Sequence, residues 1–374
     1  MIDSKLFKNE EKAIFTLRAL YGGYGYLPFK MSKFEEYDLY VRNKDFLVSD
    51  RVITFNDTNG KLLALKPDVT LSIIKNTTDS EGCKEKVYYN ENVYRVSGST
   101  HQFKEIMQTG LECIGDIDMY DIFEAVYLAA KSLDTVSSDF VLDISHMGVL
   151  SAVLDEVCGN EEFKKEIITL IGEKNPHEAA ALCDKYGIGA FGKERICAFV
   201  NMHGSTKDVI SKLEKLCLSD KSKAELDNLK ELCALISDTE YADNIKIDFS
   251  VLNDMSYYNS IVFKGFIEGI PEGILSGGRY DKLMQKMGRK AGAIGFAVYL
   301  DMLERLDRKE KKYDADMVLL YGDDADMREL MRAVELLTGS GKSVIAEKTI
   351  PADIRYRQLL SFRNGGLEIL ETND

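Results

Sequence analysis

The sequence predicts an α+β fold in which helices pack on a mainly antiparallel β-sheet. Segments with the period-two alternation of strands occur in neighbouring pairs joined by short polar loops, which is typical of antiparallel pairing. Residues from about 147 to 240 instead show only the three-and-four spacing of apolar residues in helices. This segregation of strands and helices favours α+β over a doubly wound parallel sheet.

The first part of the chain supplies a helix, a hairpin and a pair of long strands. An amphipathic helix is expected over 5–21, followed by a turn and an extended segment in GGYGYLPFKMSKFEEYDLY. The turn NDTNG predicts a hairpin, and a helix is expected after Pro67 and Asp68. The strands KVYYNENVYRV and FKEIMQTGLECIG flank the loop SGSTH. A helix over 118–134 and the strand DFVLDIS complete this part.

The second part begins with the helical block and ends in a short α/β segment. Strands resume at NIKIDFSVL, SIVFKGFIEG and EGILSGGRY, and AGAIGFAVYLDMLERL is expected to close the unit as a strand or a helix. After the charged linker DRKEKKYDAD we expect a strand, a helix, a strand, a helix over 351–363 and a last strand. The sequence therefore predicts a core domain over 1–312, with a helical insertion at about 147–240, and a small domain over 313–374.

Composition excludes several classes of function. The 374 residues include 45% hydrophobic and 29% charged residues, which is typical of a globular protein with a sizeable core. The net charge of −14 argues against a main role in nucleic-acid binding, which depends on cationic patches. The charged start and the lack of a long apolar run predict no signal peptide and no membrane span. Seven scattered cysteines indicate reduced thiols, so a cytoplasmic protein is expected.

Familiar catalytic and cofactor motifs do not account for the sequence. GSGKS at 339–343 lacks the first glycine of a phosphate-binding loop and follows a predicted helix, so we expect a helix end and a turn there. GGYG at 22–25 lacks the third glycine of a dinucleotide fingerprint. The four histidines have no metal-binding spacing. No metal and no cofactor is therefore expected.

Polar residues on the two long strands indicate a small-molecule pocket. In QTGLE, Gln108, Gly110 and Glu112 share one face of a strand, with the amide and the carboxylate about 13 Å apart. The glycine between them is expected to leave room for a small molecule. Arg95 ends the preceding strand, where a guanidinium can hold a carboxylate.

Turns supply the remaining candidates. Asp68 and Thr70 follow the hairpin, where short polar groups can reach an ammonium, and SYYNS and GGRYD add Tyr257, Tyr258 and Tyr280. An alternative explains the residue types equally well: a solvated sheet face on which the arginine and the glutamate pair with each other.

Taken in order, these segments resemble the class II aminoacyl-tRNA synthetase core, and specifically its histidyl-tRNA synthetase branch. GYGYLPFKMSKFEEYDLY resembles the dimer-forming first motif, and YRVSGSTHQFKEIMQTGLECIGD resembles the second. SYYNSIVFKGF, GGRYDKL and AIGFAVYLDML resemble the histidine-specific segment and the third motif. Within that branch, FNDTNGKLLALKPDVTLSIIKN is most similar to the regulatory subunits of ATP phosphoribosyltransferase, which are synthetase paralogues.

The sequence departs from the synthetases where those enzymes bind ATP. Ser97 and Gly98 stand where the second-motif loop has a Glu–Arg pair, and the third motif reads Tyr-Leu-Asp-Met over 299–302 instead of Gly-Leu-Glu-Arg. Asn253 replaces the arginine of the histidine-specific segment. Loss of one oriented donor costs about 10²–10³ in rate. Because two arginines and the loop pair are missing here, we expect no adenylate formation.

The resemblance implies that the amino-acid half of the pocket is kept. By match to the family, the residues implied to bind histidine are Asp68, Thr70, Arg95, Gln108, Glu112, Tyr257, Tyr258 and Tyr280. The implied function is a non-catalytic subunit that activates a short-form ATP phosphoribosyltransferase in the first step of histidine biosynthesis and takes part in feedback by histidine. The implied partners are the catalytic subunit and a second copy bound through the synthetase-like core, without tRNA. A divergent histidyl-tRNA synthetase and a stand-alone amino-acid-binding module are the alternatives.

Overall fold

A computed structural model describes residues 8–44, 47, 51–78, 82–96, 101–251, 260–305, 312–363 and 365–373. The chain divides into two units, Met1–Asp307 and Arg308–Asp374. The larger unit contains a nine-stranded and a three-stranded sheet, and the smaller unit contains a four-stranded sheet.

The elements of the larger unit follow the predicted order closely. In chain order they are α1 (Asn9–Gly23), β1 (Leu27–Pro28), β2 (Phe34–Glu36), α2 (Tyr37–Arg42), β3 (Thr54–Asn56), β4 (Leu62–Leu65), α3 (Thr70–Asn76), β5 (Glu85–Val96), β6 (Phe103–Gly115), α4 (Met119–Val136), β7 (Phe140–His146), α5 (Met147–Val157), α6 (Glu161–Gly172), α7 (Pro176–Lys185), α8 (Ala190–Val200), β8 (His203–Gly204), α9 (Thr206–Leu216), α10 (Asp220–Ser237), β9 (Ile245–Asp248), β10 (Ile261–Ile267), β11 (Ile270–Arg279), α11 (Asp281–Lys286), β12 (Gly292–Tyr299) and a 3-10 helix (Leu300–Arg305).

The large sheet is mainly antiparallel, as the sequence predicted. Its strand order is β1-β5-β6-β12-β11-β10-β7-β9-β8, and parallel pairing occurs between β1 and β5 and between β7 and β9. Leu17 and Tyr21 of α1 and Leu128 of α4 form one apolar core with Leu111 and Phe296 of the sheet. The alternation of apolar and polar residues thus buries one face under helices and leaves the other face to the polar residues of β6.

The helical insertion lies between β7 and β9 and comprises α5 to α10. Several of its helices begin at polar caps: the Asn160 side chain accepts hydrogen bonds from two backbone N–H groups of α6, and Ser205 and Ser219 cap α9 and α10. Phe163 and Phe199 are fully buried within it. Caps and an apolar stripe, both readable in the sequence, therefore account for this segment.

A buried ion pair ties α8 to α5 inside the insertion. The guanidinium of Arg195, which is 6% exposed, donates to the carboxylate of Glu156 and to the backbone carbonyl of Leu216. Glu156 also accepts hydrogen bonds from the backbone N–H and the hydroxyl of Ser219, at 3.1 and 2.6 Å. These donors hold the pKa of Glu156 down to about 2, against the opposing effect of burial.

Replacing Arg195 with methionine is expected to lower the free energy of unfolding by about 3 kcal/mol, at the lower end for buried ion pairs, because a largely buried carboxylate loses its cation and keeps only the Ser219 donors. Urea unfolding followed by circular dichroism measures this loss. Lys193→Met on the same helix is the matched control, since Lys193 pairs with Asp184 on the surface, where an ion pair contributes little to stability. Equal losses in the two variants would contradict the buried role of Arg195.

The smaller unit contains β13 (Ala315–Tyr321), α12 (Met327–Gly339), β14 (Val344–Glu347), β15 (Tyr356–Arg363) and β16 (Gly366–Thr372). Its sheet has the order β14-β13-β15-β16. The prediction of a helix over 351–363 is wrong. Tyr356–Arg363 form strand β15, which pairs in parallel with β13 and antiparallel with β16. Residues 359–362 are buried in succession, as in a strand covered on both faces, and such a run has no helical or strand period to read.

The GSGKS segment is a helix end, as predicted. Helix α12 ends at Gly339, Ser340 caps it, and Gly341 has a φ of 80°, which favours glycine. The next strand begins at Val344. In the ranges described above, no helix is long and apolar enough to cross a membrane.

Candidate ligand-binding site

Strand β6 presents the predicted polar residues on one face. Gln108 and Glu112 are each only 2% exposed, and they lie on either side of Gly110. The register pairs Gly110 with Tyr89 of β5 and with Ala297 of β12. The predicted alternation therefore holds, and the polar residues lie in the middle of the large sheet and not at its edge.

Glu112 is held by two hydroxyl groups from distant segments. Its Oε1 accepts a hydrogen bond from Thr70 Oγ1 at 2.9 Å, and its Oε2 accepts one from the Tyr280 hydroxyl at 2.5 Å. A side chain at Gly295 would collide with the carboxylate, since a Cβ atom there would lie 1.7 Å from Oε2. Burial raises the pKa of Glu112 to about 8, although both hydroxyls lower it, and the nearby Asp68 raises it further.

Asp68 and Arg95 form a second part of the cluster. Asp68 Oδ1 accepts the backbone N–H of Leu71 at 2.9 Å, and Arg95 Nη2 lies 3.6 Å from Asp68 Oδ2. Arg95 Nε donates to the Pro67 carbonyl at 2.7 Å. Burial raises the pKa of Asp68, with Arg95 and two backbone N–H groups opposing the rise.

These contacts contradict the alternative of a solvated face with an Arg–Glu pair. Arg95 lies against Asp68, whereas Glu112 is bonded to hydroxyl groups. Thr70 and Tyr280 are also buried, at 8% and 2% exposure. The face is a buried polar cluster that brings together five of the eight residues predicted for the site: Asp68, Thr70, Arg95, Glu112 and Tyr280.

The expected gap at Gly110 is wrong. A Cβ atom on Gly110 would lie 2.1 Å from the backbone oxygen of Phe296 and 2.6 Å from the Tyr89 hydroxyl. The Tyr89 phenol thus occupies the space between Gln108 and Glu112 that the sequence suggested for a ligand. Glycine is required here for the packing of the sheet itself.

Gln108 remains incompletely bonded. Its Nε2 is buried and has no hydrogen-bond partner among the residues that the structure describes. On β5 it faces Glu91, which forms an ion pair with the fully buried Lys66 at 2.6 Å. On β12 it faces Tyr299, whose hydroxyl lies 2.7 Å from Ser276 Oγ. An unsatisfied buried donor costs about 1–3 kcal/mol, which a ligand acceptor would offset.

Sequence reasoning missed Tyr89, Lys66 and Glu91. Tyr89 and Glu91 stand two apart in KVYYNENVYRV, so their shared face was readable, but the register that sets them opposite Gly110 and Gln108 was not. Nothing in LKPD distinguishes Lys66 from a surface lysine.

Several predicted positions lie outside the described residues, namely Tyr257, Tyr258, Asn253, Ser97 and Gly98. The third motif is described. Tyr299 ends β12, and Asp301 and Met302 follow in the 3-10 helix. The position that carries the arginine in synthetases is thus occupied by a methionine. Within the described ranges, no group of His, Cys, Asp or Glu side chains is arranged to hold a metal ion.

A mainly antiparallel sheet with a polar cluster on one face and a helical insertion between its strands is the class II synthetase core. Comparison with protein families agrees with this class. The family model described as histidyl-tRNA synthetase matches residues 3–303. The chain therefore belongs to the histidyl-tRNA synthetase family.

Individual relatives narrow the resemblance. The ATP phosphoribosyltransferase regulatory subunit of Alkaliphilus metalliredigens is 26% identical over 94% of this chain and 90% of its own length. A Bacillus halodurans structure described as ATP phosphoribosyltransferase regulatory subunit/histidyl-tRNA synthetase has a TM-score of 0.77 at 22% identity, covering 96% of this chain and 94% of that one. The predicted fold and the predicted similarity to regulatory subunits are both confirmed.

A third comparison concerns an assembly. A chain of the ATP phosphoribosyl transferase (HisG:HisZ) complex from Thermotoga maritima has a TM-score of 0.62 at 18% identity. The match covers 98% of that chain but 79% of this one. The shared fold therefore extends over nearly all of the Thermotoga maritima chain.

Proposed function

We propose that this chain is the regulatory subunit of an ATP phosphoribosyltransferase in histidine biosynthesis, and that a separate chain carries the catalysis. The observation that carries the proposal is the third motif, where Tyr299 closes β12 against Ser276 and Met302 stands in the place of the ATP-binding arginine. That position has no cation that could bind a phosphate, whereas the polar residues around Glu112 are present and hydrogen-bonded to one another. The curated relatives, matched over most of their length, are regulatory subunits of this transferase.

The proposed function implies two binding partners, a catalytic subunit and a second copy of this chain. The chain assembles with a short-form catalytic subunit, as the Thermotoga maritima complex contains two kinds of chain. A second copy binds through the synthetase-like core. Supporting this homodimer, large apolar side chains are exposed in the segment that resembles the first motif, Leu27 by 68% and Phe34 by 45%, and Phe15 of the preceding helix α1 is exposed by 57%.

Histidine is the ligand proposed for the cluster around Glu112, bound beside the Tyr89 ring and not in the space over Gly110 that this ring fills. The unpartnered Nε2 of Gln108 offers a buried donor, and Glu112 and Asp68 offer carboxyl groups to an ammonium or an imidazole. The residues proposed to bind it include Tyr257 and Tyr258. Histidine regulates the transferase by binding the assembled states with unequal affinity, because equal affinity would shift no equilibrium.

The same proposal includes no tRNA binding and a cytoplasmic location. A net charge of −14 opposes association with a phosphate backbone. Histidine biosynthesis draws on soluble metabolites, which accords with the cytoplasm.

Mixing the purified chain with a short-form catalytic subunit is expected to give a complex on size exclusion and to raise the rate of phosphoribosyl-ATP formation by at least about tenfold, a typical allosteric coupling. Added histidine should lower that rate. The catalytic subunit alone and this chain alone are the controls.

Two results would contradict the proposal. One is the absence of both a complex and activation. The other is histidine-dependent ATP–pyrophosphate exchange by this chain alone, which would identify a divergent synthetase. Histidine binding without any effect on a catalytic subunit would instead favour a stand-alone amino-acid-binding module.

A further inference from the structure

A cavity of about 320 Å³ lies where β7, β9 and β10 meet. Its volume is at the lower end of the range for small-molecule sites, roughly 300–1,000 Å³. Charged side chains of both signs line it, with Phe266 as an aromatic wall. The cavity is built from secondary-structure elements of the larger unit.

The strand register separates this cavity from the cluster around Glu112. Lys264 of β10 pairs with Ser276 of β11, Ser276 pairs with Ala297 of β12, and Ala297 pairs with Gly110. Directly opposed residues share a face, so the cavity lies on the same face of the sheet as Gly110. Three strand spacings of about 4.8 Å place Lys264 roughly 14 Å from Gly110.

The cavity holds two opposite charges that do not pair with each other. Asp143 and Lys264 are directly opposed on antiparallel strands. In the described part of the chain, neither the Asp143 carboxylate nor the Lys264 ammonium makes a hydrogen bond or an ion pair. The Lys264 stem lies over Gly273, where a Cβ atom would be 2.3 Å from Lys264 Cε, and its Nζ lies 5.5 Å from the centre of the Phe266 ring.

The other charged pair of the cavity is satisfied. Asp248 Oδ2 lies 2.9 Å from Lys174 Nζ, and Asp248 Oδ1 accepts the backbone N–H of Ser250 at 2.8 Å. Asp248 is therefore the paired carboxylate of the cavity, and Asp143 is the unpaired one.

The environment of Asp143 favours an added cation. Burial and the negative charge of Asp248 raise the pKa of Asp143 to about 6, although Lys174, Lys246 and His203 lower it. A half-buried carboxylate without a partner is unfavourable, and a ligand cation would relieve it. Lys264, on the adjacent strand, offers a cation to an anionic group of the same ligand.

We propose that this cavity binds a free α-amino acid in its zwitterionic form, with the ammonium on Asp143 and the carboxylate on Lys264. The side chain of the amino acid then packs against Phe266. A zwitterion fits the site because its ammonium complements Asp143 and its carboxylate complements Lys264, whereas a simple cation or anion complements only one of the two. This site is separate from the cluster around Glu112, and the proposal does not depend on histidine binding there.

Calorimetry of the full-length chain with the proteinogenic L-amino acids, each titrated to millimolar concentration, tests the proposal. At least one amino acid should bind saturably. Its N-acetyl and C-amide derivatives, each lacking one charge, should bind the wild-type chain at least about tenfold more weakly. This comparison needs no variant and so does not depend on the folding of one.

Variants then assign the binding to this cavity. Asp143→Asn and Lys264→Met should each weaken it at least about tenfold without lowering the urea midpoint, whereas Asp184→Asn and Lys193→Met, which alter a surface pair on α7 and α8, should leave it unchanged. The proposal is overturned if no amino acid binds, if the blocked derivatives bind equally well, or if Asp143→Asn and Lys264→Met both retain the wild-type affinity.

Discussion

Replacing Gly110 with alanine is expected to lower the free energy of unfolding of the larger unit by about 3 kcal/mol or more. The added Cβ atom would lie 2.1 Å from the backbone oxygen of Phe296 and 2.6 Å from the Tyr89 hydroxyl. A tyrosine ring can shift slightly, but a backbone carbonyl inside a nine-stranded sheet cannot. The free-energy cost therefore lies at the upper end of the range for substitutions that overpack a core. Urea unfolding followed by far-ultraviolet circular dichroism measures the loss.

Gly22→Ala is the matched control for that variant. Gly22 lies in α1, and a Cβ atom there meets nothing within 4 Å. Alanine should therefore be neutral or stabilise the helix by up to about 1 kcal/mol. A Gly110→Ala variant that unfolds at the wild-type urea concentration would show that β5, β6 and β12 do not pack as closely as described.

Glu112→Gln is expected to change how stability depends on pH. The pKa of Glu112 is raised from its ordinary value of 4.5 to about 8 in the folded chain. The stability associated with the protonated carboxyl is fully present below pH 4.5 and is lost as pH rises through about 8. The loss is on the order of 5 kcal/mol, at about 1.4 kcal/mol per pKa unit. Glutamine has no charge to bury, so the variant should lose less stability over this range.

Urea unfolding at a series of pH values from 5 to 9 measures how the free energy of unfolding differs between the wild type and Glu112→Gln. The other titrating groups are common to both proteins and cancel in this difference. Tyr280→Phe is a useful second variant, because it removes the hydroxyl 2.5 Å from Glu112 that lowers its pKa. That variant should lose more stability towards high pH than the wild type does. Identical pH profiles for all three proteins would contradict the raised pKa of Glu112.

Local patterns predicted most of the fold and part of the site. The period of apolar residues located the strands β5 and β6, the helical insertion and helix α12, and alternation placed Gln108 and Glu112 on one face. The helix expected over 351–363 failed, since β15 is a strand only because it pairs with β13 and β16. In that segment the local pattern was ambiguous and pairing with distant strands decided the structure.

The loss of the ATP site stays a prediction from sequence, because it depends on which residue types stand in the third motif. The partners of Glu112 were not readable in the same way from the residues alone. Thr70 and Tyr280 are 42 and 168 positions away along the chain, and only the folded chain shows that both hydroxyls reach the same carboxylate.

The sequence by itself determined which residues share a face, because side-chain alternation is a local property of an extended backbone. It also determined that the third motif ends in Met302 and not in an arginine. Only the tertiary structure decided what fills each face: Tyr89 lies over Gly110, Arg95 lies against Asp68, and Asp143 and Lys264 are opposed without pairing. Those arrangements depend on strand register and side-chain packing, which arise from contacts between segments far apart in the chain.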